Sequence, residues 1–339
     1  MSDHNEFVAL LRRTGVITGS APRLTPLSGG VSSEIYRVED DGRTFVLKRA
    51  LARLRVAEPW FADVSRNRAE QAFLRHVATF LPAAVPRVLD CHPEHGFFTM
   101  EYLGEGFVNW KQLLLAGETR GFHARRAGQV LGEIHHRSFR QTMVAGEFNP
   151  VENFRQLRLD PYLLRTADRH PDLAAHLRVE ADRLAATCEC LVHGDYSPKN
   201  ILLSDDRLVV LDCEVACFSD AVFDTAFLLN HFFLKSLHHH PTPCDLAGLV
   251  TAFWQAYLEA RVEDDDPTLE MRTVRLLPML MLARVDGKSP AEYLTQPAKQ
   301  QFVREFTRGE IGGATATLES LTRRWLSALT RLVVSVSPA

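Results

Sequence analysis

The run His193-Gly194-Asp195-Tyr196-Ser197-Pro198-Lys199-Asn200, followed by Val209-Val210-Leu211-Asp212-Cys213-Glu214, gathers the side chains with most chemical capacity. Asp195 stands five residues before Asn200, and Asp212 twelve after it. Phosphoryl transfer draws on such a set. One carboxylate accepts the proton of an attacking hydroxyl, while an Asn oxygen and a second carboxylate hold Mg²⁺ on a triphosphate. Mg²⁺ keeps waters and phosphate oxygens around it, so a sparse protein ligand set is expected. Any of these residues alone is more simply a solvated turn residue; the ordered set is not.

A second group lies near the N-terminus. Ser28-Gly29-Gly30-Val31-Ser32-Ser33 is a glycine turn flanked by hydroxyls, where the backbone can approach phosphate oxygens closely. An isolated Gly-Gly turn is a plain hairpin. Lys48, eighteen residues later on an apolar run, supplies a point charge for phosphates. Glu70 shares a helical face with Phe73 and Val77 and is the expected partner of Lys48. Glu58 is the reserve candidate, and an i,i+4 pair of Glu70 with Arg66 is the competing explanation.

The elements that must carry these residues fall into two sets. Strands are expected at 24–28, 35–38, 44–48, 87–91 and 96–101, with a hairpin at Asp41-Gly42 and a helix over 61–81 ended by Pro82. Beyond the connector Leu103-Gly104-Glu105-Gly106, helices dominate: 107–117, 120–138, 172–188, 221–238, 244–262, 267–284, 290–307 and 314–334. Short strands at 190–192, 201–203 and 208–211 interrupt them and carry the acids.

The 339 residues correspond to about two domains at ~150 residues each. Hydrophobic residues at 46% and charged ones at 24% are ordinary for a folded globular chain. The net charge of −3 gives no basic excess for neutralising nucleic-acid phosphates. The longest apolar run, Leu276 to Ala283, is far too short to span a bilayer, and MSDHNEF lacks the features of a secretory signal. Six cysteines follow no disulfide framework, so a reducing cytoplasm is expected, with no membrane or nucleic-acid partner.

His-Gly-Asp-x-x-x-x-Asn followed by Asp-x-Glu resembles the aminoglycoside phosphotransferase family, which includes choline/ethanolamine, methylthioribose and homoserine kinases and shares the protein-kinase fold. The resemblance runs over most of the chain. Residues 27–38 resemble the nucleotide loop, Val46-Leu47-Lys48 the strand of the phosphate-binding lysine, and Glu101-Tyr102-Leu103 the hinge beside adenine. Leu131-Gly132-Glu133-Ile134-His135 and Ser219-Asp220-Ala221-Val222-Phe223-Asp224 resemble two further family segments.

The resemblance implies an α+β, protein-kinase-like bilobal fold. Its N-lobe, 1–102, is a small antiparallel sheet with one helix that binds nucleotide. The larger, mainly helical C-lobe, 103–339, is catalytic and binds the acceptor. ATP, with GTP as the alternative, and Mg²⁺ are the implied cofactors, and a small-molecule hydroxyl (sugar, amino alcohol or aminoglycoside) the acceptor. Ser28, Gly29, Gly30, Ser32, Lys48, Glu70, Glu101 and Leu103 fall on nucleotide-binding positions, Asp195 on the base, and Asn200 and Asp212 on the metal ligands. His193 and Glu214 support them, Asp224 accepts backbone hydrogen bonds from the loop, and Asp220 caps the next helix.

Departures bear on the acceptor. Ser197 stands where protein kinases usually carry Lys, and only seven residues separate Asp212 from Asp220; both disfavour a protein acceptor. A non-catalytic nucleotide-binding module is the other alternative, but Lys48, Asp195, Asn200 and Asp212 are all present. A metabolic acceptor is preferred to an antibiotic, because no acidic pocket is legible. Asp286-Gly287-Lys288-Ser289 imitates the end of a P-loop, yet Leu282 stands where its first glycine belongs. A helix C-cap at Gly287 is favoured there over acceptor contacts from Arg284, Asp286 and Lys288.

Overall fold

A computed structural model describes residues 2–27, 33–51, 66–148, 152–242, 244–261 and 266–332. Ser28, Gly29, Gly30, Ser32 and Glu58 lie outside the described residues. The chain divides into two compact units, Met1–Gly106 and Phe107–Ala339.

The first unit is an antiparallel sheet of β1 (Arg23–Pro26), β2 (Ser33–Asp40), β3 (Arg43–Ala50), β4 (Val88–His92) and β5 (Phe97–Glu101), ordered β1-β2-β3-β5-β4. Asp41 and Gly42 both take positive φ, 46° and 76°, which makes a primed turn whose twist matches the strands. That turn sets the register: Asp40 faces Arg43, and Ile35 faces Lys48. Helix α2 (Arg66–Ala78) buries Glu70, Phe73, Leu74 and Val77. An additional helix, α1 (Ser2–Arg13), packs Phe7 and Leu11 into a core with Val38, Phe45, Leu47 and Phe97. Its apolar positions span little more than one turn, too few to announce a helix by periodicity.

The second unit is mainly helical. It begins with the short strand β6 (Val108–Asn109), then α3 (Trp110–Leu115), α4 (Gly121–Ser138) and α5 (Thr142–Glu147). A continuous helical stretch follows: α6 (Glu152–Phe154), a π-helical segment Arg155–Leu164, and α7 (Arg165–Arg169). After α8 (Ala174–Ala186) come β7 (Cys190–Val192), β8 (Ile201–Leu203), β9 (Leu208–Val210) and β10 (Cys217–Ser219). These form two small sheets, β6-β8-β9 and β7-β10. The unit closes with α9 (Val222–His239), α10 (Leu246–Ala260), α11 (Leu269–Asp286), α12 (Pro297–Glu310) and α13 (Leu318–Leu329).

Close packing of α4 on α10 depends on glycine. A Cβ at Gly132 would stand 2.6 Å from both the Tyr257 carbonyl oxygen and the Ala260 Cβ. The family-like Leu-Gly-Glu-Ile-His run thus lets two helix backbones meet, and that contact sets the depth at which His135 lies. Among the described residues, no helix is long and apolar enough to cross a membrane.

Candidate active site

In the first unit, Lys48 sits on β3 and Glu70 on α2. Lys48 Nζ lies 2.8 Å from Glu70 Oε1 and 2.7 Å from Oε2, with both side chains buried. An ammonium withdrawn from water needs such a partner, since desolvating it alone costs several kcal/mol. Arg66 donates to the Leu51 carbonyl. At the end of β5, Glu101 is tied to Arg87 twice: its N–H donates to the Arg87 carbonyl at 2.8 Å, and Oε2 accepts the Arg87 N–H at 3.1 Å. Leu103, half-buried, follows outside the sheet.

In the second unit, β7 delivers His193, Gly194 and Asp195. Gly194 has φ of 75°, and a Cβ there would meet the Val215 carbonyl oxygen at 2.9 Å, so a glycine is required. The Asp224 carboxylate, in the first turn of α9, accepts the N–H groups of His193 at 2.6 Å and Gly194 at 2.9 Å. His135 Nε2 reaches the same carboxylate at 3.3 Å, and its Nδ1 contacts the Tyr257 hydroxyl at 2.9 Å. Burial holds the His135 pKa below its ordinary value, although Asp224 pulls it upward. A neutral ring then donates from Nε2 and accepts from Tyr257.

His193 braces the loop from within. Its Nδ1 accepts the Asp195 N–H at 3.1 Å, and its Nε2 donates to the Leu211 carbonyl at 3.1 Å. Burial lowers its pKa too, which keeps this acceptor nitrogen unprotonated. Asp195 is almost fully buried, and its Oδ2 lies 2.8 Å from Arg158 Nη2 and 3.0 Å from Lys199 Nζ. Burial pushes its carboxyl pKa up, but Arg158 and then Lys199 outweigh that and hold it below the usual range. Asn200 Nδ2 donates to the Asp195 carbonyl at 3.0 Å, and the Asn200 carbonyl accepts the Leu211 N–H at 2.8 Å.

Asp212 follows β9 with φ of 61°, a left-handed conformation that Asp tolerates better than most residues. Its carboxylate lies within 4.8 Å of that of Glu214. Asp220 Oδ1 caps α9 through the Val222 N–H at 3.1 Å, while its other oxygen meets Arg183 and Arg272. Asp286 is committed elsewhere: Arg304 grips it through two 2.8 Å bonds and His170 adds a third at 2.9 Å. Gly287 caps the end of α11 with its N–H on the Ala283 carbonyl.

Arg158 and Lys199 escaped the sequence reading. Lys199 is visible four residues after Asp195, but spacing alone does not say that it folds back. Arg158 lies 37 residues upstream, on a helical stretch containing Pro161. Chemically, the loop presents an ionised, oriented carboxylate beside an amide, with two further acids on the next strand end.

A small antiparallel sheet unit with a buried Lys–Glu pair, joined in sequence to a helical unit bearing this loop, is the protein-kinase-like construction. The model of the phosphotransferase enzyme family matches residues 23–271, well over half of the chain. The chain belongs to that family. A methylthioribose kinase of Geobacillus thermodenitrificans is 24% identical over 261 residues, covering 68% of this chain and 65% of that protein. This chain therefore matches just under two thirds of that relative's length. Among solved structures, a choline/ethanolamine kinase family protein from Mesorhizobium loti aligns with a TM-score of 0.54 at 15% identity, over 98% of this chain and 100% of that one. An amicoumacin kinase in complex with AMP-PNP, Ca²⁺ and Ami aligns with 0.53 at 13%, over 97% and 95%. At these identities the two structures establish the shared fold.

Proposed function

We propose that the protein is an ATP- and Mg²⁺-dependent phosphotransferase that phosphorylates a hydroxyl group of a small molecule by direct in-line transfer. The observation that carries this reading is the joining of two chemical roles in one loop. Asn200 donates its Nδ2 to the carbonyl of Asp195, so its amide oxygen is turned away from that bond while Asp195 presents its carboxylate. Asn200, Asp212 and Glu214 offer only oxygen donors, the set a hard cation such as Mg²⁺ selects. In this reading Asn200 and Asp212 hold the ion, which neutralises triphosphate charge when bound. Lys48, held by Glu70, meets the α/β-phosphates. Ser28, Gly29, Gly30 and Ser32 take phosphate oxygens, and the segment Glu101–Leu103 takes the base.

Asp195 orients the acceptor hydroxyl. The bond from the β,γ-bridging oxygen to the γ-phosphorus breaks as the acceptor oxygen bonds to that phosphorus, and the hydroxyl proton passes to Asp195. Products are ADP and a phosphomonoester. A carboxylate held below its usual pKa is a weak base, so the proton moves late, when the hydroxyl has become acidic by bonding to phosphorus.

Titration calorimetry with ATP tests the nucleotide half. Binding should require Mg²⁺ for full affinity, weaken at least about tenfold in Lys48→Met, and lose its Mg²⁺ dependence in Asp212→Asn. Absence of ATP and GTP binding in the wild-type protein would overturn the reading.

A further inference from the structure

Behind Asp195 the second unit contains a row of cationic side chains that the phosphotransfer roles leave unused. Helix α9 is apolar along most of its length, yet Phe227, His231 and Lys235 succeed one another at four-residue spacing on one face. The Arg158 guanidinium lies 5.7 Å from the Phe227 ring and 6.0 Å from that of Tyr162. The Tyr162 hydroxyl in turn lies 3.5 Å from Arg284 Nη1. The His231 ring stands 5.7 Å from Phe227, and Lys235 Nζ rests 4.8 Å from the ring centre of Tyr293. The cationic row therefore runs from the half-exposed Lys199 and from Arg158, both on Asp195, inward to Arg284 and Lys235, with His231 beside them kept neutral by burial and by those two charges.

Its charges do not balance. Arg158 and Lys199 share Asp195, and Lys111 pairs with Glu292. Among the described residues, Arg284 bonds to the Tyr162 hydroxyl and to Ser289 oxygens, and the Lys235 ammonium lies over the Tyr293 ring. Among the described residues, neither is ion-paired. Three buried polar atoms here also have no hydrogen-bond partner among the described residues: His231 Nδ1, Arg284 Nε and the Tyr293 hydroxyl. Burying an ammonium against a ring leaves most of its lost hydration uncompensated. A ligand group with negative charge would compensate it, and guanidinium with ammonium is the pairing that carboxylates and phosphates attract.

We propose that the acceptor of this enzyme carries an anionic group, a carboxylate or a phosphate ester, seated on Arg284 and Lys235 while its hydroxyl faces Asp195. The proposal rests on the phosphotransferase reading above and names its substrate class. It sets the chain apart from phosphotransfer to polycationic or quaternary-ammonium acceptors, which this row of cations would repel. Burial, Arg284 and Lys111 lower the Lys235 pKa to about 7 against an upward pull from Glu292, a displacement that a bound anion would reverse.

The test is ADP release with ATP–Mg²⁺ and four acceptor arms: hydroxy acids including glycerate, sugar and polyol phosphates including glycerol 3-phosphate, neutral sugars and glycerol, and amino alcohols with aminoglycosides. One anionic arm should exceed the neutral and cationic arms at least about tenfold in kcat/KM, and which arm wins separates carboxylate from phosphate. Lys235→Met, near-isosteric and free of the buried charge, should cut the anionic-over-neutral ratio about tenfold, and Lys235→Arg should restore part of it. Preference for the neutral or cationic arm, no turnover in either anionic arm, or an unchanged ratio in Lys235→Met would overturn the proposal. Nucleotide binding measured on the same samples separates the two failures. ATP binding without anionic turnover removes only the acceptor class, whereas loss of ATP binding removes the phosphotransferase reading as well.

Discussion

Arg158 and Lys199 converge on a single oxygen of Asp195, at 2.8 and 3.0 Å, and this fixes how that residue can act. Its carboxyl stays ionised below the usual carboxylate range. Asp195→Asn should lower kcat by about 10²–10⁴ while leaving the ATP dissociation constant within about twofold, measured by steady-state kinetics and calorimetry. Arg158→Met removes the larger of the two pulls, so the Asp195 pKa rises. The acid limb of the kcat/KM profile should then move to higher pH. A limb that stays in place would show that Asp195 does not set it.

Lys235 makes the opposite case, a buried cation with no ion pair among the described residues. Its pKa of about 7 in the folded chain lies below the ordinary lysine value. Between those two values the unfolded chain binds more protons, so this group makes stability rise with pH across that window. Lys235→Met should therefore be more stable than wild type at pH 7, by roughly 2–4 kcal/mol. The difference should shrink toward pH 9.5, as read by denaturant melts at both pH values. A variant less stable than wild type at pH 7 would show that the charge supports the fold.

At the scale of elements, α4 and α10 meet through Gly132, where an added Cβ would stand 2.6 Å from the backbone oxygen of Tyr257. Gly132→Ala should cost about 1–3 kcal/mol, seen as a lower Tm, and should lower kcat as well because His135 and Asp224 hang on that contact. The sequence made this element legible as a family-like helix. It did not reveal the close approach, because periodicity reports which face is buried and not how near the partner comes. The strands of the first unit were legible because alternation and an Asp-Gly turn are local signals, and the observed pairs match them closely. The stretch Arg155–Leu164 was not, because Pro161 argues against a helix. The chain accommodates that proline inside a π-helical segment, which is why Arg158 went unnoticed. At the end of α9, His238, His239 and His240 each hydrogen-bond a different backbone carbonyl, those of Tyr293, Leu114 and Leu332.

Over the whole molecule, the expected lobe boundary at 102/103 falls four residues before the observed division at Gly106. Composition and a net charge of −3 pointed to a folded chain with no basic excess. They concealed a local imbalance, since Arg284 and Lys235, without an ion pair among the described residues, are offset by acids elsewhere. The loop residues were legible as a group because they stand close together in the sequence. Of the residues proposed to face the acceptor, Arg284 was weighed only within the turn at Gly287 and set behind a helix C-cap, and Lys235 drew no attention, because they stand on separate helices with no common motif. If nucleotide and Mg²⁺ bind the folded chain only, ATP–Mg²⁺ at a hundred times its dissociation constant should stabilise it by about 2.7 kcal/mol. Thermal melts with ATP alone, Mg²⁺ alone and both should show the largest rise in Tm for the pair.

Phosphorus NMR of reactions containing ATP, Mg²⁺ and the acceptor panel tests the claim of transfer to a hydroxyl most directly. One new phosphomonoester should appear for each ADP formed, only when the acceptor is present, and should vanish in Asp195→Asn. Inorganic phosphate as the sole product beside ADP, or no consumption of ATP with any acceptor, would contradict the account.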